Sequence, residues 1–143
     1  MKKTALWKLL TLTLLLATTL WGAELPWRSD YARALAEAKK AGKNLMIFIE
    51  ARHCPYCEKM RREVLSDPDV VRSIQEGFVP VRLLIDDPIV KREFSKTSVT
   101  PTIYFITPKK ELLMDVVGYL NQEFFYWRLG AAEEEAERLK RAP

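Results

Sequence analysis

The chain of 143 residues is long enough for one domain and too short for two of ordinary size. With 48% hydrophobic and 29% charged residues, its composition excludes a largely disordered polypeptide. The net charge of +4 comes mostly from Lys2, Lys3 and Lys8; setting these three aside leaves 20 basic against 19 acidic residues, a balance that gives no reason to expect a nucleic-acid partner.

Taken in order, the first stretch reads as a targeting segment. Lys2, Lys3 and Lys8 form a basic region, and an apolar run follows from Leu9 to Trp21. Thirteen helical residues reach only about 20 Å against a bilayer core of ~30 Å, which favours a signal peptide over a spanning helix. The expected division is a signal peptide at 1–23, or an uncleaved anchor, followed by one domain at 24–143. A cut after Ala23 places bulky Trp21 where a small residue is preferred, so the cleavage point stays open. Export to the periplasm is expected, where a pair of cysteines persists as a disulfide.

After a short lead-in at Leu25-Pro26-Trp27, Ser29 or Asp30 caps a helix through Tyr31, Leu35 and Ala38 that Gly42 ends. Asn44 to Ile49 is a continuous apolar run, the pattern of a strand buried on both faces. A helix is expected from Pro55 to about Leu65, then a shorter one capped by Asp67 with Val70, Val71 and Ile74 on its apolar side, ended by Gly77. Phe78–Ile85 reads as a second strand, and Asp87-Pro88 starts another helical turn. Ile103–Ile106 and Glu111–Val117 are joined by so short a turn that they form an antiparallel hairpin, closed by Gly118. Asn121 caps a last helix whose Phe125, Leu129, Ala132, Ala136 and Leu139 form its apolar stripe. The run Phe124-Phe125-Tyr126-Trp127 is expected to pack that helix on the sheet, and Glu133, Glu134, Glu135 and Glu137 to make a solvated face. Strands alternating with helices, then a hairpin and a closing helix, give an α/β sandwich around a four-stranded mixed sheet. Its two strands joined by a helical crossover should run parallel.

The stretch Glu50-Ala51-Arg52-His53-Cys54-Pro55-Tyr56-Cys57 joins the first strand to the second helix and holds both cysteines and the single histidine. Pro55 suits a first helical turn, so Cys54 falls at a helix N-terminus, where free N–H groups and the macrodipole stabilise a thiolate. Thiols in such positions titrate at roughly 3.5–7.5 instead of ~8.5 and are nucleophiles near neutral pH. Cys57, one turn on, is within disulfide reach and points toward the core. His53, when protonated, would stabilise the Cys54 thiolate and make the disulfide more oxidising; the alternative is an exposed ring with no role.

With this turn, with Thr100-Pro101-Thr102 opening the third strand, and with the hairpin ending in Gly118, the chain resembles the thioredoxin superfamily from about Trp27 onward. The resemblance implies a thioredoxin-like sandwich in which Thr100–Pro101 is a cis peptide facing the disulfide. Backbone polar groups beside Cys54 would then be open to an extended substrate segment. Departures from thioredoxin proper are His53 in place of a tryptophan, Pro-Tyr between the cysteines, and Phe48 in place of a buried aspartate. Glu50 is then the nearest acid available to tune the thiols, and Tyr56 contacts substrate. A glutaredoxin would need a Gly-Gly pair where Gly118-Tyr119 stands. The expected function is that of a small, monomeric thiol–disulfide oxidoreductase, a reductase or exchange protein for protein disulfides, in which Cys54 attacks and Cys57 resolves. No cofactor beyond the Cys54–Cys57 disulfide is implied. Its partners would be protein thiols or disulfides and a membrane or periplasmic electron donor or acceptor. The rival reading is an exported copper- or metal-binding protein of the same fold that uses Cys54, Cys57 and His53.

Overall fold

The computed structural model describes residues 24–142, so the expected signal segment at 1–23 lies outside the described residues. In chain order the elements are α1 (Tyr31–Ala41), β1 (Asn44–Glu50), α2 (Pro55–Glu63), α3 (Pro68–Gly77), β2 (Phe78–Leu84), α4 (Pro88–Glu93), β3 (Thr102–Ile106), β4 (Leu112–Val117) and α5 (Gln122–Arg141). Their ends follow from local chemistry. Asp30, Asp67, Asp87 and Asn121 each accept hydrogen bonds from free N–H groups of the helix that follows, and Pro55, Pro68 and Pro88 occupy first turns. Gly42 ends α1 in the left-handed region at φ 67°, which a side chain would strain.

The sheet has the order β2-β1-β3-β4. β1 pairs parallel with β2 across the α2–α3 crossover and antiparallel with β3, and β3 and β4 form the hairpin. As an interior strand, β1 is buried on both faces, which is why Leu45–Ile49 is continuously apolar rather than alternating. Met46 and Phe48 face α2, α3 and α5 together with Phe78, Phe105 and Phe125; Leu45, Ile47 and Ile49 face α1 and α4 with Val79, Val81 and Leu83. Removing each such side chain from water stabilises the fold by about 1.5–3 kcal/mol before the cost of ordering it. The outer edge of β2 is covered by the lead-in: the Arg28 N–H donates to the Pro80 carbonyl at 2.9 Å, and the Arg82 N–H donates to the Arg28 carbonyl at 2.8 Å.

The expected elements are present, with small shifts and one larger difference. α2 stops at Glu63 rather than near Leu65, and β1 extends to Glu50. In the aromatic run only Phe125 is fully buried; Phe124 and Trp127 are 55% and 71% exposed. At about 100° per residue, four consecutive helical positions cannot all face the sheet.

One consequence of the topology governs the site. β1 ends at Glu50 where β3 begins, since Ile49 is the register partner of Thr102. The cysteine turn after β1 and the Thr100-Pro101 segment before β3 therefore meet at the same edge of the molecule.

Candidate active site

The turn that connects β1 to α2 passes through His53, which takes φ 55°, a left-handed conformation that histidine adopts more readily than most residues. This reversal places Cys54 as the N-cap of α2, with extended backbone and its Sγ accepting the Cys57 N–H at 3.2 Å. A side chain that accepts at this point is one on which negative charge is favoured. The two cysteines are joined as a disulfide, with Cα atoms 5.2 Å apart. They are not equivalent: Cys57 is 1% exposed within the core cluster of Phe48 and Met60, whereas Cys54 is only half-buried. Of the two, Cys54 is the more open to solvent.

Across from the disulfide, Thr100 Oγ1 lies 3.5 Å from Cys54 Sγ, and the Thr100–Pro101 peptide is cis. This segment is held from two sides. Thr102 Oγ1 donates to the Val99 carbonyl at 2.7 Å, and the Gly118 N–H, at the end of β4, donates to the Pro101 carbonyl at 2.8 Å. Gly118 does so with φ 82°, in the region that favours glycine. His53 and Arg52 are exposed beside Cys54, and Arg52 makes a distant ion pair with Asp86 at 3.8 Å.

Tyr56 is 61% exposed, and its ring centroid is 6.3 Å from that of Tyr119. Tyr119 is fixed by α2: its hydroxyl donates to Glu63 at 2.9 Å, and Lys59 Nζ stands 4.5 Å from its ring centroid. That hydrogen bond holds the Glu63 carboxyl below, and the Tyr119 hydroxyl above, their ordinary values. Tyr119 thus ties α2 to Gly118, the residue that supports Pro101. No local pattern marks Tyr119 for this role, because its partners Lys59 and Glu63 are far away in the sequence.

Glu50 is 4% exposed at the end of β1. Its carboxylate accepts from Arg82 Nε of β2, and Arg61 Nε of α2 lies 3.5 Å from its other oxygen. The acid singled out from the sequence as a tuning group has two guanidinium groups as its partners. These arginines carried no local signal; Arg82 is 32 residues from Glu50 and reaches it only through the β1–β2 register, in which Arg82 stands opposite Phe48. Among the described residues, no group of three or more His, Cys, Asp and Glu is placed to hold a metal ion.

The family model of a thioredoxin-like domain matches residues 31–133. The chain belongs to the thioredoxin-like family. A solved thioredoxin from Thermus thermophilus is 33% identical, with a TM-score of 0.66, covering 75% of this chain and 85% of its own. A DsbH oxidoreductase, 20% identical with a TM-score of 0.61 over 80% of this chain and 89% of its own, shares the fold. Among curated proteins, mouse anterior gradient protein 3 is 25% identical over 107 residues, or 74% of this chain. That match spans 64% of the mouse protein, just under two thirds of its length. The chain therefore combines a thioredoxin-like disulfide oxidoreductase fold with a disulfide between Cys54 and Cys57.

Proposed function

We propose that this thioredoxin-like chain is a thiol–disulfide oxidoreductase of protein substrates, working as a reductase or exchange protein in the periplasm. The observation that carries the reading is the asymmetry of the cysteine pair: a partly exposed Cys54 at a helix N-terminus, its Sγ facing Thr100, with a buried Cys57 behind it. In the reduced protein the Cys54 thiolate attacks one sulfur of a substrate disulfide. One substrate thiolate leaves and a mixed disulfide forms. Cys57 loses its proton and attacks Cys54 Sγ, which closes the Cys54–Cys57 bond and expels the second substrate thiolate. Two electrons pass from the cysteine pair to the substrate, so a dithiol donor has to reduce the pair again. With the Val99 and Pro101 carbonyls engaged by Thr102 and Gly118, the backbone groups of Thr100 are the ones offered to an extended substrate segment, and Tyr56 adds an exposed ring. His53, when protonated, adds positive charge beside the thiolate. Export, with residues 1–23 as its signal, agrees with the disulfide and rests on the sequence of that segment.

The reduction potential of the pair, measured by equilibration with glutathione or dithiothreitol, tests this reading. A value near about −270 mV is expected for a reductase. One near about −120 mV would make the protein an oxidant instead. Absence of a reversible two-electron couple would overturn the redox reading altogether.

A further inference from the structure

Beside Cys54 a groove of about 480 Å³ opens, lined by Arg52, His53, Glu58, Arg61 and Arg82, with Glu50 in its wall. Its electrostatics are set by how Glu50 holds the two arginines. Both approach the buried carboxylate most closely through Nε, the inner nitrogen of the guanidinium. Among the described residues, the outer Nη groups of Arg61 and Arg82 have no hydrogen-bond partner, and the Arg61 Nε, although shielded from water, makes only the ion pair. The side chains of Arg61 and Arg82 are each about one-third to two-fifths exposed, so these outer donors are reachable. A guanidinium fixed from behind, with its outer edge free, is pre-organised for a carboxylate, because the planar fork loses little freedom when it binds. Three guanidinium groups share the groove with two carboxylates, one of which, Glu50, is spent beneath the arginines.

We infer that Arg61 and Arg82 form a carboxylate-recognition site that selects disulfide substrates carrying an acidic side chain close to the reactive cystine. This deepens the thiol–disulfide reading above and rests on it. The occupant is a polypeptide segment rather than a small disulfide. Arg61, Arg82 and Glu58 also line a second groove of about 620 Å³ that continues past Trp27 to Glu24, so an extended chain leaving Cys54 has a path across both arginines. Glu50 is a positioning residue in this account: it aims two donors at the substrate and touches no reacting atom.

The test uses two disulfide-bridged peptides that differ only in having Glu or Gln on both sides of one cysteine, with dithiothreitol as donor. The wild-type protein is expected to turn over the Glu peptide with a KM about tenfold lower than the Gln peptide, and added salt should erode that ratio. Arg61→Gln or Arg82→Gln should reduce the ratio to about threefold. Because losing both arginines would strand a buried carboxylate, the full deletion is made as Glu50→Gln with Arg61→Gln and Arg82→Gln, and its ratio should fall to about one. A merely structural defect lowers turnover of both peptides together and leaves the ratio alone. Equal KM values in the wild type, or a preference that survives the triple substitution, would overturn the inference. Failure to turn over either peptide would instead overturn the oxidoreductase reading.

Discussion

At the scale of single residues, chemistry concentrates on the few ångströms between Cys54 and Thr100. The Thr100 hydroxyl, 3.5 Å from Sγ, and the Cys57 N–H, 3.2 Å from it, are the hydrogen-bond partners of that sulfur among the described residues. When Cys54 is a thiolate, both are donors to it. Thr100→Val keeps the shape of the side chain and removes one donor, so attack on a disulfide should slow roughly fivefold at neutral pH, the value of one ordinary hydrogen bond. Stopped-flow measurement of the first step checks this; an unchanged rate across pH would mean that the hydroxyl does not reach the anion. The cysteines, His53 and Thr100-Pro101 were legible in the sequence because each belongs to a local pattern: two cysteines one turn apart, a proline at a first turn, a proline opening a strand. Tyr119, Arg61 and Arg82 were not. Each acquires its role from a partner distant in the chain, as when Tyr119 meets Glu63 56 residues before it.

At the scale of elements, periodicity explains what could be read and what could not. A run of apolar residues as long as Leu45–Ile49 admits no solvated face, so β1 was recognisable as a strand buried on both faces. The run Phe124–Trp127 is equally apolar, but it lies on a helix that is covered on one side only, and Phe124 and Trp127 turn outward. The packing of α1 on the sheet provides a titration test. Tyr31, in the first turn of α1, is 5.6 Å from Phe94 between ring centroids and almost wholly buried. Burial, followed by the nearby Glu93 charge, pushes its hydroxyl up to about 12. A hydroxyl that ionises later in the folded than in the unfolded chain contributes stability that is complete below about pH 10 and lost as pH rises toward 12. Denaturant unfolding should therefore show a steeper alkaline loss of stability in the wild type than in Tyr31→Phe. Parallel curves would show that this ring ionises freely in the native state.

On the scale of the whole molecule, the sheet order places the site. β1 and β3 run antiparallel side by side, so the end of one and the start of the other share an edge, and the hairpin brings Gly118 back to support Pro101 from β4. Three segments separated by up to 68 residues of sequence, from Glu50 to Gly118, converge there without any one of them being a long loop. The most direct test of the account is to trap the intermediate it requires. Cys57→Ser removes the resolving thiol, so the reduced variant, incubated with a disulfide-containing protein, should accumulate a mixed disulfide that peptide mass spectrometry assigns to Cys54, while Cys54→Ser should accumulate none. A mixed disulfide forming on Cys57 as readily as on Cys54, or none on either, would contradict the assignment of Cys54 as the sulfur that meets the substrate.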